Sequence, residues 1–214
     1  MECRWDPKLS LEELAAAAEK YHFWASADGS GPAEPERFRE KQEESCRRLR
    51  ERLQEAADCR AVCVPEKGRR EAYAVLSLGA RVDGLQELYC RKGLLTEAYL
   101  TDCLCRELLR GGCRQLNGLL ADRFGLYAQR YLFPGEQLPL SSMETIFSRL
   151  RENGEEPPAR LLPGGVLLPR QSVACVIRLS ESPETVCAGF CGDCSRRGSC
   201  GAQSGSWEKT DRRE

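Results

Sequence analysis

The chain has 214 residues, of which 41% are hydrophobic and 30% are charged, so it can form one large domain with a highly charged surface. Lys and Arg total 32 against 33 Asp and Glu, which gives a formal net charge of −1. This balance argues against nucleic-acid binding and against binding to membrane surfaces, since both favour an excess of basic residues. The first 20 residues lack the apolar run typical of a signal peptide, and no apolar stretch has the length expected of a membrane-spanning segment. We therefore expect a cytoplasmic protein, whose 13 cysteines are mostly reduced thiols or metal ligands.

Two helices are predicted in the first quarter of the chain. Ser10 and Glu13 have the spacing of a capping box, which predicts a helix that continues to Tyr21. After a break at residues 29–32, Pro35 suits the first turn of a second helix that extends to about Ala57. Its apolar face at helical spacing is formed by Phe38, Ser45, Leu49, Leu53 and Ala56.

Strands and helices alternate in blocks after this point. Residues 59–65 and 71–79 are short apolar runs typical of strands. A helix is predicted after Val82, and residues 96–109 form the strongest helical segment of the chain. The glycines at 111 and 112 predict a kink or an interruption there, with helix resuming over 115–124.

The C-terminal half predicts a strand and turn over 126–139 and a second capping box at 141–144. This box would open a helix that points Ile146, Phe147 and Leu150 inward. Residues 161–169 and 172–179 read as the last strands, the second of them interior to a sheet. Because the strands come in adjacent pairs, the pattern favours an α+β fold with a largely antiparallel, twisted sheet flanked by helices.

Few residues suggest catalysis. His22 is the one histidine, and nothing around it resembles a catalytic triad or a zinc hydrolase site. The chain has no glycine-rich dinucleotide motif and no P-loop. Asp83, Asp102 and Asp122 lie in helical segments, where solvated surface positions are expected. Asp102 stands out because its neighbours are apolar residues and cysteines, but we assign it no role.

Most cysteines before residue 186 are predicted to be packed thiols that act as small apolar residues. They are Cys59, Cys63, Cys90, Cys103, Cys105, Cys113 and Cys175. Cys59 and Cys63 would share one face of a strand, which leaves a redox pair as an alternative.

The last cysteines have the spacing C-x3-C-x2-C-x5-C, at Cys187, Cys191, Cys194 and Cys200. Four thiolates suit zinc or an iron–sulfur cluster, and spacing alone does not separate the two metals from each other. A merely reduced tail is the alternative. Residues 201–214 show no periodicity and are predicted to be disordered. The predicted organisation is therefore an α+β domain over 1–185, a Cys-rich metal-binding tail over 186–200 and a disordered C-terminus over 201–214.

Two segments resemble a known family. Residues 131–150 contain YLFPGEQLP before a helix, and residues 161–177 contain LLPGGVLLPRQSVACVI. In this order they resemble the AdoMet-binding reactivation (activation) domain of cobalamin-dependent methionine synthase, and most closely its free-standing bacterial relatives with a Cys-rich tail. The resemblance implies an activation-domain-like fold that binds S-adenosylmethionine (AdoMet).

The same resemblance implies a function in the methyltransferase class. The protein would be an accessory component that docks on the corrinoid-binding domain of methionine synthase or of a related methyltransferase. There, inactive cob(II)alamin is reduced by one electron, and AdoMet methylates the resulting cob(I)alamin. The electron would come from a flavodoxin- or ferredoxin-type donor, or through an iron–sulfur cluster in the tail. This positioning task needs no catalytic acid or base on the chain itself.

Residues transfer from the family only in part. Its motif is R-x-x-x-G-Y, whose arginine binds the ligand carboxylate. Here Gly135 matches the glycine, Tyr131 stands four residues before it, and Arg130 lies one step earlier still. A one-residue shift puts Arg130 on the opposite face of a strand unless a bulge corrects it. The implied cofactor-binding residues are Arg130, Tyr131, Gly135, Pro169 and Ser172.

Two other functions stay open. One is a non-catalytic, metal-binding interaction module that has kept the fold and lost AdoMet binding, as the shifted arginine and the replacement of the motif's tyrosine by Glu136 suggest. The other is a thiol redox protein that uses the tail cysteines.

Overall fold

The computed structural model describes residues 1–21 and 35–183. The break predicted at 29–32, His22 and everything after residue 183 lie outside these ranges. Among the described helices, none combines the length and the apolar character needed to cross a membrane. The described residues form α-helices and strands in the following order: β1 (Glu2–Arg4), α1 (Leu11–Lys20), α2 (Pro35–Ala56), β2 (Arg60–Glu66), β3 (Glu71–Ser77), α3 (Ala80–Arg91), α4 (Leu95–Phe124), β4 (Tyr127–Leu132), α5 (Ser142–Glu152), β5 (Arg160–Leu162), β6 (Val166–Leu168) and β7 (Ser172–Ser180).

The main sheet has five strands in the order β1-β2-β3-β7-β4, and every neighbouring pair is antiparallel. β3 lies in the middle, and its last six residues are buried. Both faces of β3 are covered, which explains why its sequence is apolar throughout instead of alternating. The predicted α+β class with an antiparallel sheet is confirmed, as is the interior position of β7.

Helices cover the two faces unequally. The larger core fills the face beneath α1 to α4, and it contains Leu76 of β3 and Ile177 of β7. The smaller core contains Val75 and Val176, which directly precede Leu76 and Ile177 along the two strands, and packs them against Phe147 of α5. Successive strand residues point to opposite faces, so each interior strand supplies both cores.

The α2 face differs by one position from the prediction. Cys46, Leu49 and Leu53 are buried, whereas Ser45 is exposed. Steps of three and four residues, as from 46 to 49 to 53, follow the helical repeat more closely than two steps of four from residue 45. Cys46 therefore replaces Ser45 in the core, and the predicted inward positions of Leu49 and Leu53 are confirmed.

The 30-residue α4 is continuous, so the predicted interruption at residues 111–113 is wrong. Gly112 is buried where α4 crosses the sheet, and a Cβ built there would lie 2.7 Å from the Trp5 ring and 2.9 Å from Leu76 Cδ2. This glycine allows close approach of the helix backbone and does not break the helix. The helix ends at Phe124 and is followed by Gly125, whose φ of 63° is the left-handed conformation usual after a helix.

The two predicted capping boxes differ in outcome. At α1 the Glu13 N–H donates to Ser10 Oγ at 3.0 Å, and the Ser10 N–H donates to Glu13 Oε2 at 2.9 Å. At α5 no side-chain cap forms, because Ser141 itself has helical angles. The first N–H groups there bond to backbone carbonyls, such as that of Pro139 at 2.9 Å, so a side-chain acceptor is not needed. The predicted inward residues Ile146, Phe147 and Leu150 are buried, as expected.

The segment 161–169 is a hairpin and not the single strand that was predicted. β5 and β6 pair antiparallel, and Leu162 opposes Val166. Pro163 and Gly164 occupy the central positions of the turn, closed by the Gly165 N–H to the Leu162 carbonyl at 3.2 Å. Proline followed by a glycine with positive φ, here 81°, is the pattern of a type II turn.

Candidate functional site

Three surface clefts meet at the loop of residues 168–172, which joins the hairpin to β7. The α3–α4 cleft has a volume of about 650 Å³ and is lined by Gln86, Glu87, Cys90, Arg91, Asp102, Arg170 and Gln171. The turn cleft measures about 320 Å³ and is lined by Phe133, Pro134, Met143, Gly165, Val166, Leu167, Arg170, Ser172, Val173 and Ala174. The arginine cleft measures about 430 Å³ and is lined by Asp58, Arg60, Gly79, Ala80, Arg81, Pro157, Pro158, Ala159, Arg160, Leu168 and Pro169.

Asp83 of α3 fixes the backbone of this loop. Its carboxylate accepts the Arg170 N–H at 2.7 Å and the Gln171 N–H at 3.4 Å. The Arg170 guanidinium also lies 3.2 Å from Glu87. On the other side, the Leu78 N–H donates to the Gln171 carbonyl at 3.0 Å. The loop is therefore held by charge-assisted bonds to α3 and by a backbone bond to the end of β3.

Asp102 of α4 holds the Gln171 side chain of the same loop. Gln171 Nε2 donates to Asp102 Oδ1 at 3.0 Å, and Arg106 donates to Asp102 Oδ2 at 2.6 Å. The sequence alone assigns Asp102 no role, whereas the structure shows that it positions Gln171. The expectation that Asp83 and Asp102 are simply solvated is therefore wrong.

Ser172 opens β7 beside the turn cleft. Its hydroxyl donates to Ser77 Oγ at 2.8 Å, and Ser77 Oγ also accepts the Gly79 N–H at 3.1 Å. Ser77 is 1% exposed, so this chain of hydrogen bonds satisfies a polar group that burial would otherwise destabilise.

Gly135 lies in the turn that follows β4, on the other side of the turn cleft. Its φ is 85°, and its N–H donates to the Leu138 carbonyl at 2.8 Å. Phe133 and Pro134, which precede it, line the turn cleft together with Ser172. The structure thus brings the Gly135 turn and Ser172 together, and it places Pro169 on the adjoining arginine cleft.

Arg130 lies elsewhere on the sheet. It pairs with Arg178 across β4 and β7, after a register shift between Ala128 and Arg130. Because of this bulge, Arg130 lies on the face of the sheet that α5 covers, which is also the face of the turn cleft. Regular alternation would have placed Arg130 on the same face as Ala128, in the larger core. Arg178 is six residues after Ser172, so about 20 Å of strand separates Arg130 from the Ser172 end.

Tyr131 packs in the larger core. It is 2% exposed, and its hydroxyl donates to Asn117 Oδ1 at 2.8 Å and lies 3.2 Å from the Cys113 carbonyl. Its ring stacks on Phe133 with centroids 6.3 Å apart. These contacts fasten β4 to α4 and leave little of Tyr131 for a ligand.

The described cysteines are mostly packed thiols, as predicted. Burial raises the pKa of Cys59 and of Cys63 to about 12, so both stay protonated at neutral pH. Four residues along a strand span about 13 Å, which is too far for a Cys59–Cys63 disulfide. Cys90 is an exception to the prediction, because it is exposed on the α3–α4 cleft.

The proposed metal ligands Cys187, Cys191, Cys194 and Cys200 lie outside the described residues. Within residues 1–21 and 35–183, no group of three or more His, Cys, Asp or Glu side chains is placed to hold a metal ion. The metal site therefore stays a prediction from sequence.

Sequence reasoning missed Arg170 and did not foresee the role of Asp83. Arg170 belongs to the quoted R-Q-S-V stretch and lines two of the three clefts. The available signal was its place between a proline and a buried strand, where a charged side chain must leave the sheet. Nothing local connects Asp83 with it, since 87 residues separate the pair.

The fold is similar to that of a solved protein. The crystal structure described as the MetH reactivation domain bound to AdoHcy superposes with a TM-score of 0.54 at 12% sequence identity, covering 83% of this chain and 77% of that chain. No protein-family model matches the sequence. No curated protein matches it either. The chain therefore shares the fold of that reactivation domain at low sequence identity.

Proposed function

We propose that this protein binds AdoMet and its product AdoHcy in the turn cleft and takes part in reactivating a cobalamin-dependent methyltransferase. The observation that carries the proposal is the shared fold with a reactivation domain solved with AdoHcy, combined with the Gly135 turn and Ser172 meeting at one cleft. The cleft volume of about 320 Å³ is at the lower end of the 300–1,000 Å³ usual for small-molecule sites.

The chain offers a binding role for each part of the cleft. Phe133, Pro134 and Met143 form an apolar wall for the uncharged part of the ligand. Arg170 is the arginine that lines the cleft, and it is suited to bind the ligand carboxylate in place of the distant Arg130. The hydrogen bonds that Asp83 and Ser77 accept fix the loop and Ser172, so less order has to be gained when a ligand binds.

In the proposed reaction, the protein positions AdoMet above a corrinoid held by a partner domain. An external flavodoxin- or ferredoxin-type donor gives one electron to cob(II)alamin. The resulting cob(I)alamin takes the methyl group from the AdoMet sulfonium, which leaves methylcobalamin and AdoHcy. Methyl transfer removes cob(I)alamin and so draws the unfavourable reduction forward. The chain contributes proximity and orientation.

Calorimetric titration with AdoHcy tests the binding step. We expect saturable binding that Arg170→Gln weakens by about 10- to 100-fold, the effect of losing a hydrogen bond to a charged group, worth about 1.5–3 kcal/mol. Arg130→Gln is the matched control, because it makes the same change of charge about 20 Å from the Ser172 end of the cleft, and we expect it to bind normally. A loss in Arg130→Gln with normal binding in Arg170→Gln would show that the family motif, and not the loop arginine, recognises the carboxylate.

Reconstitution tests the reaction. The protein, AdoMet, a reductant and a methionine synthase fragment carrying cob(II)alamin should together produce methylcobalamin, followed by its visible absorption spectrum. Omitting the protein should abolish the product. Equal product without the protein would contradict an accessory role.

A second function has an observation of its own. Tyr131 is buried in the larger core and Arg130 lies far from Ser172, so two of the family-implied contacts are absent from the cleft. A metal-binding interaction module without AdoMet would tolerate both changes. Folded protein that fails to bind millimolar AdoHcy, yet contains stoichiometric zinc or iron by elemental analysis, would favour this second function. Metal lost on replacing Cys187 and Cys191 by serine would locate the ions in the tail.

A further inference from the structure

The arginine cleft carries a concentration of positive charge that the proposed function does not use. Arg60, Arg81 and Arg160 line it against one acidic residue, Asp58. This is notable in a chain whose formal net charge is −1. The cleft is lined by Leu168 and Pro169, at the start of the 168–172 loop, and shares no lining residue with the turn cleft.

The acidic residue does not neutralise the three arginines. Asp58 Oδ2 lies 3.5 Å from Arg60 Nε, and Asp58 Oδ1 lies 3.9 Å from Arg4, so its charge is shared with an arginine that does not line the cleft. Arg81 and Arg160 form no ion pair with any described residue. Both are exposed and can reach an anion without first giving up a carboxylate partner.

The backbone of each of the three arginines belongs to a helix or a strand. Arg60 is the first residue of β2 and pairs with Ser77 of β3. Arg160 is the first residue of β5 and pairs with Leu168 of β6. Arg81 is the second residue of α3. The three arginines that line the cleft therefore come from three regular elements, and sites built on such elements are held more precisely than sites on loops.

The remaining walls are apolar. Pro157 and Pro158 are buried and form one wall, and Leu168 and Pro169 contribute another. A volume of about 430 Å³ exceeds the needs of a bare inorganic anion. The cleft therefore has room for an uncharged body next to the anionic group.

We propose that the arginine cleft is a second binding site, which takes a phosphate group carried on a small organic body of about the size of a mononucleotide. A phosphate dianion matches the excess of arginine over aspartate better than a single carboxylate does. Guanidinium groups bind phosphate oxygens in a bidentate manner, with both geometric specificity and charge-assisted strength. The site is independent of AdoMet binding.

Titration with uridine monophosphate, followed by protein NMR shifts, tests the proposal. The pyrimidine probe avoids the adenine group that the turn cleft would recognise. We expect saturable binding, at least tenfold weaker binding of uridine, and at least tenfold weaker binding of the monophosphate to the double variant Arg81→Gln, Arg160→Gln. Arg91→Gln is the control and should bind normally, because it removes a charge at the far end of α3, about 15 Å away along the helix.

Three results would overturn the proposal. They are the absence of saturation in the millimolar range, equal affinity for uridine and its monophosphate, and an equal loss in the double variant and in Arg91→Gln. Both replaced side chains are exposed, so the variants should fold, which circular dichroism checks. AdoHcy binding to the double variant should be unchanged, and this keeps the outcome separate from that of the proposed function.

Discussion

Gly112 is the position where one added methyl group should have the largest effect on stability. It is buried inside α4, and an alanine Cβ there would lie 2.7 Å and 2.9 Å from two atoms of the Trp5 ring and 2.9 Å from Leu76 Cδ2. Trp5 is 9% exposed and Leu76 is fully buried, so moving either side chain disturbs the packing around it. The substitution Gly112→Ala must therefore push α4 away from the sheet or displace these side chains.

A second glycine in the same helix isolates the cost of this clash. Gly118 is exposed, and a Cβ there would meet nothing within 4 Å. Alanine is favoured over glycine inside a helix by about 1 kcal/mol, and both substitutions gain this amount. Overpacking a core costs about 1–3 kcal/mol. We therefore expect Gly118→Ala to stabilise by about 1 kcal/mol, and Gly112→Ala to lie about 1–3 kcal/mol below it.

Urea unfolding followed by circular dichroism measures both variants. For a domain of this size, 1 kcal/mol corresponds to about 2–4 °C in Tm, so thermal melts should separate the two by several degrees. If Gly112→Ala stabilises the protein as much as Gly118→Ala does, then Trp5 and Leu76 do not pack against α4 as described. The explanation of why α4 continues through its glycine pair would then be wrong.

Two further predictions concern the larger core. Tyr131→Phe removes the hydroxyl that donates to Asn117 and should lower the free energy of unfolding by about 1–2 kcal/mol. Tyr127→Phe, on the same strand, is the control and should change the free energy of unfolding little. Equal effects of the two substitutions in urea unfolding would contradict the anchoring role of Tyr131. The free energy of unfolding should also fall as the pH rises from about 9 to about 12, because the thiols of Cys59 and Cys63 ionise near 9.0 when unfolded and only at a pKa of about 12 when folded. Each such thiol adds about 1.4 kcal/mol per pH unit to this decline. The variant Cys63→Ala should be less stable at every pH, but its free energy of unfolding should fall less steeply with pH than that of the parent protein. An unchanged slope would count against a buried Cys63.

Local sequence signals predicted the secondary structure where the information lies within a few residues. The helical spacing of Leu49 and Leu53 and the reciprocal Ser10–Glu13 spacing appear in the structure as predicted. The apolar runs of β2, β3 and β7, bounded by turn residues, were recognisable because strands buried on both faces carry continuous apolar sequence. Grouping of these elements was also enough to predict an antiparallel α+β fold.

Other features depended on partners that are remote in sequence. Glycines at 111 and 112 resemble a helix break, and only the packing of Trp5 against Gly112 shows why the helix continues. A bulge before Arg130, and the pairing of Arg130 with Arg178, could not be read from a local pattern, since register is set by the whole sheet.

The sequence by itself determined most of the helices, the interior strands and the class of fold, because periodicity and capping are local properties. Only the tertiary structure decided which residues meet at the candidate site. It joined Asp83 to Arg170 and Asp102 to Gln171 across 87 and 69 residues, and so held one loop at the junction of three clefts. The physical reason is that these bonds form only after the sheet register and helix packing have fixed α3, α4 and β7 next to one another.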